Sequence, residues 1–141
     1  MPGKALISRV PKHFVKTLTL TGASGLGLVS VDIPVLTITG RVLMRELAIF
    51  CSTALASAGG GVLSMGTANN PGGIIPKTTA TIIDINEFWR DTTPELESSP
   101  VIKDEAIAAN VIIQPTVATV ESGVLEVSIY WSPLSIDGNL A

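Results

Sequence analysis

The stretch Val35–Ala56, VLTITGRVLMRELAIFCSTALA, constrains the fold most. It is the longest run of β-branched and bulky apolar residues in the chain. Leu36 and Ile38 share one parity, and Val42 and Met44 continue it after Gly40. Period-two patterning of this kind suits a pleated strand better than a helix. Leu47–Leu55 is less regular, because Ala48 and Ala54 also suit a helix, and it is read here as a strand. The Arg45-Glu46 pair marks a turn or bulge between the two halves.

Shorter segments of the same kind flank this stretch. His13–Thr21 places Phe14, Lys16, Leu18 and Leu20 on one parity, and the lysine suggests that this strand lies at a sheet edge. Leu28–Ile33 reads as a second strand, ended by Pro34. Val62–Thr67 reads as a strand before the turn signal Asn69–Gly73, and Thr78–Ile85 as another, with Asn86 opening a turn into Phe88-Trp89. Arg90–Asp104 has little apolar periodicity and reads as a long loop. Ala106–Ala109 offers at most one helical turn. Asn110–Val117 is a further strand. In the last one, Leu125, Val127, Ile129 and Trp131 alternate with Val124, Glu126, Ser128 and Tyr130 until Pro133. Residues 135–141 read as a tail. About eight strands with turn signals between them indicate an all-β fold, an antiparallel β-sandwich. Residues 1–11, with Pro2, Gly3 and Pro11, form an irregular N-terminal arm before one domain over 12–141.

Composition matters here for what it leaves to be covered. Of 141 residues, 46% are hydrophobic and only 15% charged, against roughly 25% charged in ordinary soluble domains. The mean hydropathy is +0.49, yet no apolar run approaches the ~20 residues of a membrane-spanning helix. A small sandwich with so little charge is expected to bury outer surface against partners. The net charge of −3 gives no general attraction to nucleic acid, and neither nucleic acid nor membrane is expected as a partner. Charge is also segregated. Residues 1–16 carry Lys4, Arg9, Lys12 and Lys16 with no acid, whereas residues 84–105 carry seven acids against Arg90 and Lys103. The two segments could meet head to tail between copies, or within one copy.

Catalytic patterns are missing. The sole histidine, His13, has no Gly-x-Ser-x-Gly elbow to serve and reads as a surface residue. Gly59-Gly60-Gly61 lacks the Lys-Ser/Thr of a phosphate loop, and Gly22-x-x-Gly25-x-Gly27 has the wrong spacing for a dinucleotide site. The only cysteine, Cys51, sits in an apolar setting as a small buried hydrophobe. Asp84, Glu87 and Asp91 could converge beside Trp89 as a carboxylate pair or a sugar platform; core packing of Phe88 and Trp89 explains the same residues. No metal or other cofactor is expected. The first fourteen residues lack the apolar core of a secretory signal, which fits synthesis in a cytoplasm.

Several segments carry a resemblance. Val35–Val42 (VLTITGRV) and Met65-Gly-Thr67 with its Asn-Pro-Gly loop come first. Ile74–Ala80 leads into Phe88-Trp-Arg-Asp91, and Tyr130–Ser135 (YWSPLS) precedes Asp137-Gly138. Together they cover most of the chain from about residue 12. The chain resembles small virion structural proteins of tailed bacteriophages and prophages, in particular capsid decoration (cement) proteins. Head and tail proteins of one particle share this texture. The resemblance implies a jelly-roll-like sandwich, made in the host cytoplasm, that sits as a homotrimer on the capsid surface with the major capsid protein as partner. It carries over no catalytic residues. The residues expected at contacts are Lys4, Arg9, Lys12, Phe14, Lys16, Trp89 and Trp131. The competing class is a carbohydrate-binding or adhesion module using Trp89 and the 90–105 loop.

Overall fold

A computed structural model describes residues 10–141. Two antiparallel sheets pack around one apolar core, a β-sandwich. The described residues form twelve strands, β1 (Lys12–Leu20), β2 (Ile33–Leu36), β3 (Ile38–Thr39), β4 (Val42–Ala56), β5 (Val62–Thr67), β6 (Asn70–Thr79), β7 (Glu87–Phe88), β8 (Glu95–Leu96), β9 (Ile102–Ile107), β10 (Val111–Thr116), β11 (Ser122–Pro133) and β12 (Asn139–Leu140). The large sheet runs β1-β11-β4-β7-β8, with β9 also paired to β4, and the small sheet runs β2-β10-β5-β6. A separate ribbon joins β12 to β3. This arrangement is compatible with the jelly-roll-like pattern expected.

The central strand β4 is continuous for 15 residues, and the Arg45-Glu46 position is a bulge. Tyr130 opposes Glu46 whereas Trp131 opposes Met44, so Arg45 is an extra residue in the ladder. An extra residue inverts side-chain parity. Val42 and Met44 are therefore buried on one side of the bulge, and Leu47, Ile49 and Cys51 on the other. The apparent loss of alternation in the second half of this stretch comes from the bulge and not from helical character. Gly40 separates β4 from β3 with φ of +62°. A side chain there would run into Asp137 and Ser135, so only glycine suits the site.

Inside the sandwich, Leu18 and Leu20 of β1, Leu125, Val127, Ile129 and Trp131 of β11, and the inward residues of β4 face Leu63 and Met65 of β5 and Val111 and Ile113 of β10. The small sheet has prolines in both edge strands, Pro34 in β2 and Pro76 in β6, and both are exposed. A residue without an N–H belongs at such an edge.

Several expectations are corrected. Residues 28–32 form no strand; the second strand is Ile33–Leu36 and includes Pro34. The turn after Val62–Thr67 is Ala68-Asn69, and Asn70–Gly73 already belong to β6. The strand expected over 78–85 ends at Thr79 and gives way to a 3₁₀ turn, Ala80–Ile82. Ala80 and Ile83 are buried there, and three residues per turn put them on one side. The expected loop 90–104 contains β8 and the start of β9. Ala106 lies in β9 and not in a helical turn, opposite Leu43. The tail 135–141 contains β12, which seats Leu140 in the core.

Candidate interaction surface

The antiparallel registers align side chains in rows across the outward face of the large sheet. In one row, Thr17 opposes Glu126, Glu126 opposes Phe50, Phe50 opposes Phe88 and Phe88 opposes Glu95. Directly opposed residues project from the same face. The Phe50 and Phe88 rings meet at 5.1 Å, tilted by 56°, a favourable aromatic geometry. Two residues along the strands, the next row holds Val15, Ser128 and Ala48, and beyond it lie His13, Tyr130 and Glu46. Val15 is 58% exposed and Tyr130 is 43% exposed. His13 stacks on Tyr130 at 4.3 Å with the rings 6° from parallel, and its Nε2 lies 2.8 Å from Ser128 Oγ. A shallow depression runs over Val15, Ala48, Phe50 and Phe88 beside Glu126. The face is thus an apolar, aromatic centre bounded by carboxylates.

Of the residues expected at contacts, Phe14, Lys16, Trp89 and Trp131 are engaged within the single chain. Lys4 and Arg9 lie outside the described residues. Lys12 is exposed, and its ammonium sits 5.1 Å from the centroid of the Trp131 ring, within cation–π range. Phe14 is half-buried and packs against the core. Lys16 is on the inward parity of an edge strand. Its Nζ donates to the carbonyls of Pro34 at 3.1 Å and Val35 at 3.3 Å, so it ties the edge of one sheet to the other. Trp89 is 1% exposed and Trp131 4%. The core of the single chain uses both tryptophans, leaving almost no ring surface to a partner or a sugar. Trp89 Nε1–H donates to Thr78 Oγ1 at 2.9 Å, and that hydroxyl donates to the Pro76 carbonyl at 2.9 Å.

The acids around Trp89 are engaged in local structure. The Asp91 carboxylate accepts from the Thr93 N–H at 2.8 Å and hydroxyl at 2.9 Å, and it pairs with Arg90 at 3.1 Å. The bonds from Thr93, with help from Arg90, hold its carboxyl below the usual range, the signature of a turn-forming aspartate. Asp84 Oδ1 accepts from the Ile85 N–H. Asn86, with φ of +66°, turns the chain between them, a conformation asparagine tolerates. Burial, reinforced by Asp84 and Glu87, pushes the Cys51 thiol up to about 11, against backbone hydrogen bonding from Thr53 that lowers it. A thiol with that pKa is a poor nucleophile. No group of three or more His, Cys, Asp or Glu side chains placed to hold a metal occurs among the described residues.

The reading of the residues missed the Phe50–Phe88 face. One signal was present: Val15, Tyr130 and Phe50 all occupy the outward parity of strands whose inward parity is apolar. Register between distant segments, which joins Phe88 and Glu95 to the row, had no local signal.

No protein-family model matches this chain, and no curated protein matches it. Among solved structures, it is similar to a chain in the acidic stable capsid structure of Helicobacter pylori bacteriophage KHP30. The TM-score is 0.51 with 10% sequence identity, over 96% of this chain and 95% of that one. At that identity the likeness is one of fold.

Proposed function

We propose that this chain is a structural protein of a bacteriophage virion: a capsid decoration, or cement, protein that binds the head lattice as an oligomer and stabilises it. The observation that carries this reading is the end-to-end fold likeness to a chain of a phage capsid, which covers nearly all of both chains. The exposed aromatic face and the low charge support it, because contact surfaces are depleted in charge and enriched in aromatics at their centres.

The role is mechanical. Each subunit adds apolar contact to its neighbours and to the major capsid protein, and a trimer is the favoured unit. At about 25 cal/mol per Å², a contact burying a few hundred Å² contributes several kcal/mol before association costs. Lattice symmetry repeats that contribution at every position, so modest contacts sum to a large resistance to expansion or rupture. No chemical step is required.

The test uses capsids assembled without this protein. Purified full-length protein added to them is expected to bind to saturation at a fixed ratio to the capsid subunit and to raise the temperature at which they release DNA or fall apart. Absence of binding, or binding that leaves this temperature unchanged, would overturn the cement role.

A further inference from the structure

The outward row Glu126–Phe50–Phe88–Glu95 has a specific chemical form: two aromatic rings flanked by one carboxylate on each side. Among the described residues the one ion pair is Arg90–Asp91, so neither flanking carboxylate pairs with a described cation. The complement of such a row is a short segment with apolar residues at its centre and a basic residue at each end. The chain contains one, outside the described residues: Lys4-Ala5-Leu6-Ile7-Ser8-Arg9. We infer that this arm segment of a second copy docks across the Phe50–Phe88 face, with Ile7, which shares one face of an extended chain with Ala5 and Arg9, on the rings and Lys4 and Arg9 at Glu95 and Glu126.

Dimensions agree. Glu126 and Glu95 are separated by three strand spacings, about 14 Å. Five residues of extended chain span up to about 16 Å, so Lys4 and Arg9 reach both carboxylates while the residues between them cross the rings. Flexible lysine and arginine stems take up the remainder.

Reach also selects the second copy over the same one. Lys12 opposes Trp131 and Thr17 opposes Glu126, so Pro11 lies six residues along β1 from the row, about 20 Å. Arg9 precedes Pro11 by two residues, at most about 7 Å of chain. Even with its side chain extended, Arg9 of the same chain therefore reaches neither carboxylate, whereas a neighbour's arm is not tethered. The contact joins unlike surfaces, the arm of one copy and the sheet face of the next. Such head-to-tail contacts close into rings or extend into a lattice.

Cysteine pairs in the full-length chain test this in solution, away from any particle, so failure here is distinct from failure of the virion role. Chains carrying Ala5→Cys are mixed with chains carrying Ala48→Cys, which lies in the row beside Phe50, under mild oxidation. A mixed disulfide dimer is expected, while the parent chain, whose only thiol is the buried Cys51, gives none. Glu95→Lys with Glu126→Lys in the acceptor chain is expected to remove most of the dimer, and Lys4→Glu with Arg9→Glu in the donor chain to restore it. Absence of the dimer, a dimer indifferent to charge reversal, or an intrachain disulfide alone in the Ala5→Cys/Ala48→Cys double variant would each overturn the inference.

Discussion

The two faces of the large sheet are built from the same strands and differ in what they are left to do. On the inward side of β11, Leu125, Val127, Ile129 and Trp131 are all buried, and their neighbours across the sheet are apolar except Lys16, bonded to the opposite sheet, and Lys12, over the Trp131 ring. On the outward side, Val124, Glu126, Ser128 and Tyr130 mix charge, hydroxyl and ring, and the apolar groups among their neighbours stay accessible. Stability therefore resides in one parity of each strand and is nearly indifferent to the other. That separation lets one small chain carry an unusually apolar exterior: the outward residues can be selected for contact without disturbing the fold.

The separation can be broken most severely at Trp131. Replacing it with alanine removes a buried indole and the platform beneath Lys12, and is expected to cost about 3–5 kcal/mol by denaturant unfolding. A cost below about 1 kcal/mol would mean that the core is not where the strand parity puts it. Next in size is Thr78→Val. It keeps the shape but leaves the Trp89 indole N–H without its acceptor in a buried site, and a loss of about 1–3 kcal/mol is expected. Thr78→Ser, which retains the hydroxyl, should recover much of it.

A pH-dependent effect is expected at Cys51. The folded thiol keeps its proton up to about 11, whereas an unfolded one releases it near 8.5. Over that interval the unfolded state binds fewer protons, so stability should fall as pH rises from about 8.5 to 11 and be insensitive to this group below it. Cys51→Ala should flatten this part of the stability–pH curve; an unchanged slope would assign it to other groups. The smallest effect is predicted for the outward face. Val15→Thr should shift stability by no more than about 0.5 kcal/mol, while Leu18→Ala, three residues on but facing in, should cost about 2–5 kcal/mol. Equal costs at the two positions would end the distinction between the faces.

How much of this was legible follows from locality. β11 was legible because its alternation is uninterrupted for a long stretch, and its burial follows parity residue by residue. β4 was half legible: the charged Arg45-Glu46 pair marks the bulge, but the parity inversion after it resembled an irregular helix. The turn at Ala80–Ile82 was misread because its Ile and Thr residues imitate strand composition, while the burial follows a spacing of three. β9 was missed because IKDEAI carries three charged residues; a strand at the side of β4 needs only Ile102 and Ile107 inside. The short tail strand β12 rests on one buried residue, Leu140, too little for a pattern. The candidate surface was least legible. The tryptophans drew attention by type, yet the large sheet puts them inside. The Phe50–Phe88 row depends on pairing between segments nearly forty residues apart, and no local pattern encodes that register.

The most direct measurement of the proposed virion role is an electron cryomicroscopy map of phage particles assembled with this protein present. The account predicts density for the sandwich on the outside of the head, repeated at symmetry-related lattice positions. Density confined to the tail, or an intact head with no such density, would contradict it.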